Sequence, residues 1–389
     1  MTEPTSTSGT PRTRQFATIA WRVVASALAV ALLLKWGVVD GYEVRGNSMH
    51  PLLIDRAGEP DRVVVLKPWY RFFEPERFDL VVFERPESEG NGTNDEPPGD
   101  RFVKRVIGMP GETIRIEGGD AYIDGSAAPL RKPLPVLLEM LEPVALNDAE
   151  WQATGATRDG SAWKLVARAD APAELRYVGV IRDAWIDEHG EARAGGDSVT
   201  DVAMTVRVGS TSADAGIEFE LRDAGDTFVC EISSEGRVRL HRRDPADVVV
   251  AEAAVPELAA HSSGAAELLF VNVDNEVRLL VAGRSVIEFR YDKNTPVEGV
   301  AISAEPAVRV TRGTATIERI ALDRDVSYTD AGTFGALGRP VKIPAGAYFL
   351  LGDNSANSRD SRYFGPIARD RFRGRPWFIL SPWHRFRWL

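Results

Sequence analysis

The hydrophobic and polar positions along this 389-residue chain fall into blocks of different texture. Close to the N-terminus an uninterrupted apolar run, Val23–Leu34, is bounded by Arg22 and Lys35. Twelve residues are fewer than the ~20 needed to span a bilayer. The long cationic side chains at its two ends can snorkel to the headgroups and extend it. Residues 16–39 are therefore expected to form a transmembrane anchor, preceded by a Thr-, Ser- and Pro-rich tail, 1–15, expected to be disordered. Arg12, Arg14 and Arg22 all precede the apolar run, so the positive-inside rule puts the tail in the cytoplasm and the remainder outside the cell membrane. A cleaved signal peptide and a buried soluble helix are the rival readings. The first is weakened because no small-x-small site occurs in Lys35–Asp40.

Beyond the anchor the pattern is that of strands. Val63–Leu66 and Asp79–Phe83 are short apolar runs, and 102–107 and 112–123 follow, broken by Gly108, Pro110 and Gly111. Residues 86–100 are acidic and rich in Pro and Gly, which reads as a solvated loop or hairpin tip. Asp124-Gly125 predicts a hairpin turn. From 135 to 325 the texture changes to many short alternating segments, among them Ala266–Val273, Glu276–Val281 and Arg284–Phe289, the last two joined by Ala282-Gly283. In Glu276–Val281 the period of two puts Val277, Leu279 and Val281 on one face. Strands resume at 341–351 and 374–381, with no internal repeat. The chain is expected to be mainly β.

Composition narrows the function. A formal net charge of −10 argues against a nucleic-acid binder. The single cysteine, Cys230, rules out an internal disulfide and a cysteine zinc cluster and reads as a small buried apolar residue. No metal or cofactor is expected. The five histidines are His50, His189, His241, His261 and His384; three lie in the middle region, and none sits in a segment typical of a Ser-His-Asp triad. Ser48 has no G-x-S-x-G elbow. A serine still needs a base to take its proton, and a lysine serves when burial keeps it neutral. Lys104, flanked by Phe102, Val103, Val106 and Ile107, has apolar surroundings on both faces of its strand. A Ser–Lys pair is a known variant of triad chemistry.

Four segments, in order behind the anchor, resemble the boxes of bacterial type I signal peptidases: Gly46–Pro51 (GNSMHP), Phe78–Phe83 (FDLVVF), Phe102–Glu112 (FVKRVIGMPGE) and Gly352–Arg362 (GDNSANSRDSR). The resemblance covers 16–134 and 326–389. It implies Ser48 as nucleophile, Lys104 as general base and Ser358 as the serine that orients the lysine. It further implies Asp360 and Arg362 as a structural pair, with Arg105 in the same charge network. The Ser48 N–H would serve the oxyanion hole; Gly46 stands where some members carry a second, hydroxyl donor. Val44, Met49, Leu53, Phe102 and Val103 fall on the substrate pockets, Met49 also packing the turn with Pro51. Bulky pocket walls imply cleavage of exported preproteins after small-x-small motifs, at the outer surface of the membrane lipid.

The implied catalytic fold is a coiled antiparallel β-sheet around a groove, built from 40–134 and 326–389. The 135–325 region resembles concanavalin-like jelly-roll domains and is expected to be an inserted β-sandwich with a glycan or protein ligand. Every implied site residue lies outside it, so chemistry is expected to be independent of it. Trp377, Trp383, Phe386 and Trp388, with Arg385 and Arg387, read either as an interfacial patch or as a last strand and frayed tail. Two other classes compete. A self-cleaving repressor-type peptidase is opposed by the anchor and the acidic charge, and a non-enzymatic adhesin by the presence of both Ser48 and Lys104.

Overall fold

The computed structural model describes residues 21–26, 37–85, 101–187, 189–223, 225–260, 265–294 and 303–389. Most of the predicted anchor, the tail 1–15 and the acidic segment 86–100 lie outside the described residues. Among the described residues no helix is long and apolar enough to cross a membrane.

The fold is mainly β. One antiparallel sheet runs in the order Val39–Glu43, Arg62–Leu66, Phe372–Ser381, Leu80–Glu84, Arg101–Gly108, Ala347–Leu351, Ile367–Ala368. Its strands are Val-, Leu- and Phe-rich and buried on both sides, because β-branched and large apolar residues suit a pleated surface covered on each face. Met49, Leu52, Leu53, Val63, Val65 and Ile379 pack one side, and Tyr70, Val81, Phe83, Val106 and Leu350 the other. The sheet thus joins residues before 110 to residues after 345, and the long intervening segment has to leave and return.

It does so through a ladder. Glu142–Pro143 pairs with Asp323–Arg324 at the end of strand Thr314–Arg324, so the outgoing and returning chains lie side by side. Between them, two large antiparallel sheets face each other. One contains Val202–Thr211, Ala266–Val273, Glu276–Val281 and Thr314–Arg324; the other contains Gly216–Asp223, Asp226–Ile232, Arg237–Arg242 and Ala307–Arg312. Phe219, Leu221, Phe228, Leu240, Met204, Phe270, Leu279 and Ile317 form their shared core. Cys230 is part of that core, and burial pushes its thiol well above the usual range. A separate two-stranded hairpin, Arg182–Ile186 with Ala192–Ser198, projects from this unit.

Two local expectations change. The strand Glu276–Val281 is buried at all six positions rather than on one face. Val277, Leu279 and Val281 enter the sandwich core, while Leu280 packs with Leu137 of the short helix Leu134–Met140, which covers the other side. The hairpin near residue 120 turns at Gly118-Gly119, both at positive φ, and joins Thr113–Glu117 to Asp120–Ile123. Asp124-Gly125 also has positive φ but closes the base of that hairpin: Asp124 Oδ1 accepts from the Thr113 N–H at 2.8 Å. Ala282-Gly283 does form a hairpin turn, joining Glu276–Val281 to Arg284–Arg290 with both residues at positive φ.

Charge is buried where the two parts meet. Lys132 Nζ donates to both Asp274 oxygens, at 3.0 and 2.9 Å, and to Asp325 Oδ2 at 2.7 Å. Burial opposes the Lys132 charge, but the two carboxylates overcome it and hold the amine protonated. Asp201 is half-buried on a neighbouring cavity of about 420 Å³. Lost hydration and the Asp223 carboxylate push it up to about 6, against the pull of Lys293. Its folded value therefore exceeds the unfolded one of about 3.9, so the native state holds the extra proton between about pH 4 and pH 6 and loses stability as pH rises through that window. Asp201→Asn is expected to raise the melting temperature at pH 7, by the equivalent of at most about 3 kcal/mol, with the gain vanishing near pH 3. Melting curves at the two pH values measure this; an equal effect at both would show that the carboxylate charge is not the cause.

Candidate active site

Ser48 sits in a turn between the strands Val39–Glu43 and Arg62–Leu66. Gly46 enters the turn at φ +76, a conformation L side chains rarely adopt, and its N–H donates to Asp55 Oδ2 at 2.7 Å. Asn47, 3% exposed, fixes the next step: its Oδ1 accepts from the Asp55 N–H at 3.2 Å. Behind the serine, Met49, Leu52 and Leu53 are buried in the sheet's core, so the turn is held from below by packing.

Lys104 comes from the centre of strand Arg101–Gly108, paired with Val81 of Leu80–Glu84. Its side chain is 1% exposed, and Nζ lies 2.5 Å from Ser48 Oγ. On the strand's other edge, Leu351 pairs with Arg105, which brings the following Gly352 to the level of Lys104. The Asn354 N–H then donates to the Ser48 carbonyl at 3.1 Å, tying the C-terminal segment to the serine turn.

The segment 352–362 is organised by Asp360. Its Oδ2 accepts from Ser358 Oγ at 2.8 Å and from the Gly352 N–H at 3.1 Å; its Oδ1 accepts from the Arg362 N–H at 3.1 Å and caps the helical turn Ser361–Phe364. Arg362 Nε and Nη2 donate to the two oxygens of Asp360 at 2.9 and 2.8 Å, a bidentate pair with both residues fully buried. The remaining guanidinium protons go to the Thr329 hydroxyl, the Ser355 hydroxyl and the Ser355 carbonyl. Arg105 does not join this pair. It donates to both oxygens of Asp353, at 3.0 and 2.8 Å, and lies 3.6 Å from Glu139. Arg105 and Arg362 therefore grip the same loop through different carboxylates.

Val44, Met49, Leu53, Phe102 and Val103 line one cleft of about 230 Å³ together with Ser48. His50 faces away from this chemistry, with Nδ1 buried 3.9 Å from Glu142 Oε1 at the joint with the middle region. Three amides that sequence reasoning passed over complete the site. Asn354 Nδ2 donates to the Asn47 carbonyl at 2.8 Å and to the Ile186 carbonyl at 2.7 Å, while Asn357 Nδ2 donates to Ile186 at 2.8 Å. Asn47 Nδ2 reaches the Asp187 carbonyl at 3.0 Å. The run Asp353–Asn357 signals a self-bonding loop, but nothing local to it reveals a partner 168 positions away.

Gly352 leaves no room for a side chain. A Cβ there would fall 2.2 Å from Ser358 Oγ and 2.5 Å from the Ser48 carbonyl oxygen. The backbone contact cannot be relieved by rotating a side chain, so Gly352→Ala should displace the serine turn or the Ser358 loop. Catalytic activity should fall by about 10- to 100-fold, the usual cost of a displacement near 1 Å, in a protein that still melts cooperatively. Unchanged turnover in that variant would mean that Ser48 and Ser358 need not be held at this spacing.

Residues 17–181 and 279–382 match the family described as signal peptidase, peptidase S26, with the match interrupted between them. Probable signal peptidase I-1 of Synechocystis sp. is 36% identical over 121 residues, 31% of this chain and 55% of that protein. Probable signal peptidase I-2 of the same organism is 27% identical over 44% of this chain and 78% of its own length. Signal peptidase I V of Bacillus subtilis is 33% identical over 28% and 56% respectively. The chain thus spans about half the length of the first and third of these relatives. Among solved structures, the carbohydrate-binding module CBM66 from Bacillus subtilis aligns with 45% of this chain and 95% of its own, at 11% identity and a TM-score of 0.32. With more than half of its residues matched in two blocks that contain both Ser48 and Lys104, the chain belongs to the signal peptidase family, peptidase S26.

Proposed function

We propose that this protein is a signal peptidase I: a serine endopeptidase that removes signal peptides from exported preproteins with a Ser48–Lys104 dyad. The observation that carries the reading is the 2.5 Å approach of a buried lysine amine to the hydroxyl of an otherwise ordinary serine. Burial disfavours the ammonium form, and a neutral Nζ has a lone pair able to accept the Ser48 proton as Oγ attacks the scissile carbonyl. Lys104 then returns that proton to the leaving amine, and water repeats the sequence on the acyl-enzyme. The Ser358 hydroxyl donates its hydrogen bond to Asp360, so what it offers an amine is an oxygen lone pair. Accepting an N–H of Lys104 there would turn the amine's lone pair toward Ser48. The Ser48 N–H is the first oxyanion donor, and Gly46 contributes no hydroxyl.

The cleft lined by Val44, Leu53, Phe102 and Val103 supports the substrate reading. Its apolar walls and small volume suit alanine-sized side chains, as in a small-x-small motif. Residues 16–39 anchor the chain in the cell membrane with the N-terminus in the cytoplasm, on the strength of their apolar run and flanking cations. The exposed rings of Trp377, Trp383 and Trp388 would meet lipid at the interface. Residues 135–325 are an inserted sandwich, a reading supported by its own core and by the paired ladder at Glu142 and Arg324.

Ser48→Ala and Lys104→Met should each abolish cleavage of a preprotein, and the double variant should lose no more than either single one, because members of one catalytic unit are not additive. Cleavage by a folded Lys104→Met protein would end the dyad reading. The acidic limb of the kcat/KM profile should follow Lys104 and persist in His50→Ala; a limb that disappears with His50 would assign the base to the histidine instead.

A further inference from the structure

Resting on that dyad, we propose that the hairpin Arg182–Ile186/Ala192–Ser198, which belongs to the inserted region, is a positioning element for the nucleophile. Its tip grips both chain segments that hold Ser48. The carbonyl of Asp187 accepts from Asn47, the residue immediately before the serine, at 3.0 Å. The carbonyl of Ile186 accepts from Asn354 at 2.7 Å and from Asn357 at 2.8 Å, and the Ile186 N–H donates back to Asn354 Oδ1 at 3.3 Å. Asn354 in turn holds the Asn47 carbonyl through its side chain and the Ser48 carbonyl through its own N–H. Asn47 and Asn354 are almost fully buried, so each amide group left without its partner would be costly.

The hairpin is itself braced. Asp187 Oδ1 accepts from the N–H groups of His189 and Glu191, both at 2.9 Å, and Arg193 Nε donates to Asp187 Oδ2 at 2.7 Å, so the turn presents its carbonyls in a fixed direction. Arg324, at the end of the strand that returns from the sandwich, donates to the Ala184 carbonyl at 2.6 Å. The same Arg324 pairs with Glu142 in the entry ladder. A continuous set of contacts therefore runs from the root of the insertion to the residue beside the nucleophile.

This contact is made behind the serine, away from substrate. The cleft containing Ser48 is lined by residues between Tyr42 and Val103, and none of the hairpin's residues lines it. A role in positioning thus predicts a change in turnover with little change in KM, which a substrate-binding role would not give. The family match also stops at residue 181, immediately before the hairpin, and resumes at 279. The clamp lies in the segment between the two matched blocks, and chemistry depends on the insertion.

Arg182 and Ser198 are register partners, so residues 183–197 can be replaced by Gly-Gly without stretching the chain. The full-length variant should show a kcat on a preprotein lowered by at least 10-fold, a KM within about threefold, and slower phosphonylation of Ser48 by a small fluorophosphonate, which needs no signal-peptide binding. Asn357→Ala, which removes one amide contact with Ile186, should lower kcat about fivefold. Turnover and labelling equal to wild type in the folded hairpin variant would overturn the clamp. If that variant does not fold, unchanged turnover in Asn357→Ala overturns it. A wild-type enzyme that neither cleaves nor is labelled would instead remove the dyad reading on which the clamp rests.

Discussion

A single buried carboxylate, Asp360, fixes the geometry around Ser48 and Lys104. It accepts hydrogen bonds from Ser358, the Gly352 backbone, and the backbone and guanidinium of Arg362. An ionised group with no access to water is tolerated only when a counter-charge and hydrogen bonds replace its hydration. Asp360 has both, and the arginine that neutralises it is tied to Thr329 and Ser355. Movement of any one of these groups would expose an unpaired buried charge, so the loop has one low-energy arrangement. That arrangement sets Gly352 against the Ser48 carbonyl and Ser358 against Gly352.

The body around this loop is assembled from segments more than 200 residues apart, Leu80–Glu84 and Arg101–Gly108 against Ala347–Leu351 and Phe372–Ser381. Closing so long a loop costs entropy that grows only slowly with length. The ladder at Glu142 and Arg324 and the Lys132 bridge to Asp274 and Asp325 offset that cost locally. They bring the two ends of the middle region together at one place, so that a sandwich with its own core can hang from the sheet without stretching it. The same joint draws in His50 and orients the hairpin that reaches Asn47.

Much of this was legible in the sequence because it is local. The strand around Lys104 is read from its apolar neighbours, and the turns at Ala282-Gly283 and Gly46 from residues that tolerate positive φ. Ser48 Oγ lies 2.5 Å from Lys104 Nζ, and Ser358, Asp360 and Arg362 are joined by hydrogen bonds. What local pattern does not supply is the partner of Arg105. Arg105 and Arg362 are alike as residues, and only the three-dimensional register decides that one meets Asp353 and the other Asp360. Likewise a period of two marks Val277, Leu279 and Val281, but the burial of Leu280 follows from Leu134–Met140, a helix packed from 140 residues away.

The insertion was expected to be chemically silent because none of the implied site residues falls within it. A site also comprises the groups that hold the backbone of its reacting side chains. A nucleophile in a turn has few packing neighbours on its solvent side, and the carbonyls of residues 47 and 48 need donors. In this chain Asn354 supplies a donor to each, its side chain to Asn47 beside the His50 N–H and its backbone N–H to Ser48, and the far side of that side-chain amide is satisfied by main-chain atoms of Ile186. Main-chain partners leave no trace in residue identity: any sequence able to form the hairpin presents the same carbonyl. The dependence of Ser48 on the insertion is therefore carried by the path of the backbone, and it becomes visible only when the hairpin's tip is seen against the turn.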